Sequence, residues 1–259
     1  MPFRRLSLVL LLCAAACRSR APSPDELRAT LVAHPDFLFA VIKAHPAEFF
    51  QVVQAAAAQY QGTADAAARK DSIRLEDDLA HPKQPAITPG RATLGPANAP
   101  IVITEYSDFE CPYCRRSIPV IRELFKRYDG RIRLVLKQTP LNIHPHAMAA
   151  AQYFEAVLLQ DSQKAWQLFD VLFNNQSRLE KEGQAYLDEA VKQVGADLPR
   201  ARRDAASPAI QAIIAADLAE FQSFEFTGTP GFVVNGVRVE GSYPVEAMSG
   251  IIERTLRRN

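Results

Sequence analysis

Ile101-Val102-Ile103-Thr104-Glu105-Tyr106-Ser107-Asp108-Phe109-Glu110-Cys111-Pro112-Tyr113-Cys114 runs from an apolar, β-rich segment into two cysteines separated by two residues. Beyond it, from Ile118 to Tyr128, apolar residues recur with a helical period. The cysteine pair therefore lies where a strand hands over to a helix, a placement suited to reversible thiol–disulfide chemistry. Cys111 is expected at the helix N-terminus, where unpaired N–H groups and the macrodipole favour an exposed thiolate. Arg115 and Arg116 follow directly and are expected to add positive potential. Cys114 is placed to attack a mixed disulfide formed on Cys111. Two plainer readings are weaker. A structural zinc site wants four ligands and no second cysteine pair exists; a permanent disulfide closing so short a loop constrains little chain.

Working outward, a second strand is expected over Ile132–Lys137, giving a βαβ unit with parallel strands and a right-handed crossover. From His144 to about Phe224 the apolar spacing is helical, punctuated by Asn174-Asn175, Gly183, Gly195 and Pro199. His144-Pro145-His146 reads as a helix start near the cysteine face. Strand character returns at Gly231–Val234, turns at Asn235-Gly236 and continues through Val237–Glu240, an antiparallel hairpin. A closing helix runs from about Val245 to Leu256.

The segment Tyr106 to Cys114 resembles the active-site stretch of DsbA-type periplasmic thiol–disulfide oxidoreductases, and Gly228-Thr229-Pro230-Gly231-Phe232-Val233-Val234-Asn235-Gly236 resembles that family's second signature. The likeness covers roughly Leu94 to the C-terminus. It implies an α/β, thioredoxin-like fold with a helical insertion at about 144–225, no cofactor and no metal. It also implies that Cys111 and Cys114 are the catalytic pair, with Pro112 and Tyr113 between them tuning it. Pro230 then carries a cis peptide bond and faces the cysteines, leaving Thr229 backbone groups for an extended substrate. Glu105 matches a buried acid that relays a proton near Cys114. Lys137, at the end of the next strand, is expected to pair with that acid, because a lone buried carboxylate is costly.

The N-terminus sets the compartment. Arg4-Arg5, the apolar run Leu6–Leu12 and Ala14-Ala15-Ala16 form the three regions of a secretory signal, and the run is too short to span a membrane. Cleavage after Ala16 leaves Cys17 beside Cys111 and Cys114. Small residues before Cys17 resemble a bacterial lipobox, with Ala14 where Leu is usual, so Cys17 is the expected lipidation site and residues 1–17 the leader; plain cleavage to a soluble exported protein is the alternative. The expected location is the periplasm or cell envelope, anchored to a membrane by lipid. An oxidising compartment also suits a redox pair.

Residues 18–78 form an alanine-rich helical arm in which Ala33-His34-Pro35 recurs as Ala44-His45-Pro46, each His-Pro marking a helix start. Phe37, Leu38, Val41 and Ile42, then Phe49, Phe50 and Val53, make apolar stripes too short to stand alone in water. The arm resembles that of ScsC-type members of the superfamily, which implies assembly of a homo-oligomer; a helical cap on its own domain is the alternative. Prolines at 82, 85, 89, 96 and 100 mark 79–100 as a linker ahead of the main domain, 101–259.

With 48% hydrophobic residues in 259 and a net charge of +1, the chain can bury a full core and gives no case for nucleic acid. Protein thiols and disulfides are the expected substrates, with a membrane redox partner to recharge the pair. Two alternatives stay open at this level: a monomeric dithiol oxidant, and a module holding Cu(I) between Cys111 and Cys114.

Overall fold

The computed structural model describes residues 22–258, those of 57–73 by backbone alone. The leader and Cys17 lie outside the described residues. Two compact units part at Ala68/Arg69.

In the first unit, α1 (Pro24–Ala33), α2 (Pro35–Ala44) and the start of α3 (Pro46–Ala80) each open on a proline. Ser23 caps α1 in a reciprocal box with Glu26, while His34 precedes α2 without side-chain capping. His45, before α3, instead turns its ring to Glu48 at 2.7 Å. Neither α1 nor α2 buries a residue; Phe37, Phe39, Val41, Phe50 and Val52 are all exposed.

The second unit is built on a five-stranded sheet ordered β1-β3-β2-β4-β5. Its strands are β1 (Thr93–Leu94), β2 (Ile101–Ser107), β3 (Ile132–Gln138), β4 (Gly231–Val234) and β5 (Val237–Glu240). β2 and β3 run parallel, joined by α4 (Pro112–Arg127); the other pairs are antiparallel. The hairpin turns on Asn235 and Gly236, both at positive φ, as a two-residue turn of matching twist requires. Between β3 and β4 come α5 (Ala147–Leu158), α6 (Ser162–Asn174), α7 (Gln176–Glu182), α8 (Gln184–Gln193), α9 (Leu198–Ala205) and α10 (Pro208–Ser223). α11 (Val245–Leu256) closes the chain.

Period-2 alternation sorts the sheet's two faces. Ile101, Ile103, Leu134, Phe232 and Val234 pack with Ile121 and Leu124 of α4 and Ile252 of α11. Tyr106 and Val233 face the other way, onto Phe221 of α10 and Phe226. The proline-marked stretch before β2 is more than a connector. Ala92 is buried, Thr93 and Leu94 pair with Val135 and Leu134, and Arg91 pairs with Asp217. Its prolines exclude helix but not a short edge strand. Among the described residues no helix is long and apolar enough to cross a membrane.

Candidate active site

Cys111 is the N-cap of α4, with extended backbone and Pro112 at the first helical position, where a missing N–H costs nothing. The turn ahead of it is held by Asp108, a buried carboxylate. Asp108 accepts the N–H groups of Glu110 and Leu141, both at 2.8 Å, and meets His144 Nδ1 at 2.7 Å. His144 thus supports the site loop from the start of the insertion. Glu110 takes the neighbouring His146 N–H at 2.6 Å. Gln176, at the head of α7, donates to the carbonyls of Phe109 and Cys111, each at 2.9 Å. Nothing in the sequence pattern singled Gln176 out, because its role depends on where α7 docks.

Both cysteines stand as free thiols. Cys114 is fully buried and Cys111 is 3% exposed, so the expected exposed first sulfur is in fact covered. Its cover is the downstream loop: the Cys111 thiol donates to the Thr229 carbonyl at 3.3 Å across 118 residues of sequence, and the Thr229–Pro230 peptide is cis.

The two thiols are pushed apart in acidity. Cys111 is lowered to about 6, chiefly by donation from the Cys114 thiol, with burial opposing. The Thr229 hydroxyl and the backbone N–H groups of Cys114 and Tyr113 add to the lowering. That hydroxyl has no hydrogen-bond partner among the described residues, which leaves it available to a thiolate. Cys114 is pushed well up by burial, and the negative charges of Cys111 and Glu105 add to it. Arg116 lies over the exposed Tyr113 ring at 4.2 Å, and neither it nor Arg115 is among the main causes of the Cys111 shift.

Glu105 is 2% exposed, and burial raises it to about 7. The nearby Ser107 hydroxyl opposes this but falls short of hydrogen-bonding geometry. The expected partner is absent: Lys137 bonds Glu220 and lies 3.7 Å from Asp217. Register explains the correction. Glu105 is opposite Leu136, whereas Lys137 is opposite Tyr106, so the lysine projects from the other face. Among the described residues no group of three or more His, Cys, Asp or Glu is arranged to hold a metal ion.

Residues 87–254 match the family profile described as thioredoxin. The chain belongs to the thioredoxin family. A thioredoxin-like oxidoreductase from Silicibacter pomeroyi superposes with a TM-score of 0.59 at 26% identity, covering 66% of this chain and 94% of that one. ScsC from Proteus mirabilis superposes at 0.57 with 19% identity over 90% and 94% of the two chains, a likeness of fold. In sequence, the Na(+)/H(+) antiporter NhaA 3 of Salinispora tropica is 36% identical over 159 residues, 61% of this chain. That match spans 24% of the antiporter's length, and transport is the named activity of that protein. The thioredoxin-like fold with a helical insertion, α5 to α10 here, agrees with the expectation from sequence.

Proposed function

We propose that this protein exchanges disulfides with protein substrates through Cys111 and Cys114. The observation that carries the reading is the Thr229 carbonyl at 3.3 Å from the Cys111 sulfur, which places the loop before Pro230 over a thiol lowered to about 6. At neutral pH Cys111 is largely thiolate. Its sulfur attacks a substrate disulfide; a new S–S bond forms, the old one breaks, and one substrate sulfur leaves as thiolate. Glu105 then accepts the Cys114 proton. The Cys114 thiolate attacks the Cys111 sulfur, expels the second substrate sulfur and leaves the protein oxidised and the substrate reduced. Run backwards, the same steps oxidise a substrate dithiol; when a second substrate thiolate attacks the mixed disulfide first, the outcome is isomerisation.

Thr229 backbone groups beside the sulfur pair with an extended substrate segment, and Pro112 and Tyr113 form the exposed edge it meets. The chain is exported by its leader, held to a membrane through Cys17, and recharged by a membrane redox partner. The outward apolar stripes of α1 to α3 support assembly of copies through the arm, which turns several cysteine pairs toward shared clients and favours isomerisation.

Refolding of scrambled ribonuclease tests this, run beside insulin reduction and particle size. The full chain is expected to do both reactions, whereas a chain starting at Arg69 forms smaller particles, keeps insulin reduction and loses refolding. A full chain inactive in both assays sinks the reading. The potential of the pair against glutathione then sets direction: about −120 mV marks an oxidant, about −180 mV or below an isomerase or reductant.

A further inference from the structure

The cleft between α4 and α6 lies apart from the sulfur pair, although Glu105 lines it. It has a volume of about 480 Å³, within the range of small-molecule sites. Its walls are apolar: Ile118, Ile121 and Phe125 from α4, Trp166 and Phe169 from α6, and Leu134 from β3. Arg122 and Asp170, both substantially exposed, form an ion pair at 2.6 Å that ties the two helices together at the rim.

Two polar atoms interrupt this lining. Glu105 Oε1 and Trp166 Nε1 are buried without a hydrogen-bond partner among the described residues, and both side chains line the cleft. A buried donor or acceptor left unpaired costs free energy, so such atoms normally have a partner. Here an oxygen-bearing guest is the partner that fits, since an indole N–H can only donate.

We propose that this cleft binds an uncharged, mainly apolar small molecule whose hydroxyl or carbonyl oxygen accepts the Trp166 N–H and whose polar end pairs with the Glu105 carboxyl. Charge argues against an ionic guest. An anion would meet Glu105, and the cations nearest the mouth are engaged already, Arg122 by Asp170 and Lys126 by Glu123. A cation would have to shed its water among Ile, Leu and Phe side chains. The inference does not depend on the exchange reaction, although an occupant beside Glu105 also lies behind Cys114, whose acidity that carboxylate affects.

Trp166 is the one tryptophan in the chain, so its indole N–H gives a single cross-peak in a nitrogen–proton correlation spectrum. The full chain is titrated with cyclohexanol, an uncharged ring bearing one hydroxyl. A saturable downfield shift of that peak with millimolar affinity is expected. Leu94→Phe and Ile118→Phe, which add bulk to the lining, are each expected to weaken binding roughly tenfold. Leu94 is a partly exposed edge residue, so that variant tolerates the added volume. A peak that stays still to the solubility limit, drifts linearly, or shifts equally in both variants means a cleft holding water only, and overturns the proposal.

Discussion

Glu105 and Tyr106 are neighbours on β2, yet the two faces they serve treat ionisable groups in opposite ways. On the Tyr106 face, Glu220 is bonded by Lys137, by the Tyr106 hydroxyl and by the Ala86 N–H; Asp217 is met by Arg91, Lys137 and the Gln138 N–H. Burial raises Asp217, and those neighbours oppose it. On the Glu105 face a carboxyl just as deep has one oxygen without a partner and is raised to about 7. The first arrangement fixes charges in place and holds α10 against the sheet. The second leaves an acid near neutrality beside Cys114, able to give or take a proton. A one-residue step along a strand separates a paired network from a carboxyl with an unpaired oxygen.

The sharpest way to break that division is at the sulfur. With Cys111→Ser, insulin reduction is expected to fall on the order of a thousandfold or more, since the attacking atom is gone. Folding should be intact, because Ser fits the same N-cap. Retained activity would move the chemistry elsewhere. Lys137→Met tests the opposite face: it removes the ammonium that Glu220 and the buried Asp217 share while leaving their other partners in place, and a loss of about 1–3 kcal/mol in unfolding free energy is expected from denaturant midpoints. The ultraviolet titration of the Cys111 thiolate should stay in place. A shift of that titration by more than about half a unit would show that the networked face reaches the site after all.

Much of this was legible in the sequence wherever local pattern and local geometry coincide. The strand and helix flanking Cys111, the Asn235-Gly236 hairpin, the His-Pro helix starts and α11 all follow from periodicity and turn chemistry within a dozen residues. The juxtaposition of Thr229 with Cys111 came from resemblance, since no spacing rule joins positions 118 apart. What escaped was decided by register and docking. Lys137 and Glu105 look like partners because they lie on adjacent parallel strands, but a one-residue offset in register sends their side chains to opposite faces. Gln176, the Asp108–His144 contact and the burial of Cys111 depend on where the insertion and the downstream loop settle, information spread over the whole chain.

The subtlest test concerns the lone acid. A carboxyl near 4.5 in the unfolded chain and about 7 in the folded one keeps its proton longer when folded. Between those values the folded state therefore binds more protons, so its stability falls as pH rises through the window and is level above it. The full swing is roughly 3.5 kcal/mol at most, from about 1.4 kcal/mol per unit. Glu155, also raised to about 7 by burial, contributes a slope of the same sign, so a single pH curve cannot assign it. The difference between wild type and Glu105→Gln can: the variant should be the more stable above pH 7, and the gap should close toward pH 4.5. Resolution of the mixed disulfide by Cys114 should slow about tenfold in the same variant, while the first attack by Cys111 keeps its rate. A variant whose stability tracks wild type across that window would mean that Glu105 finds a partner or water in solution, and the contrast between the two faces would fail.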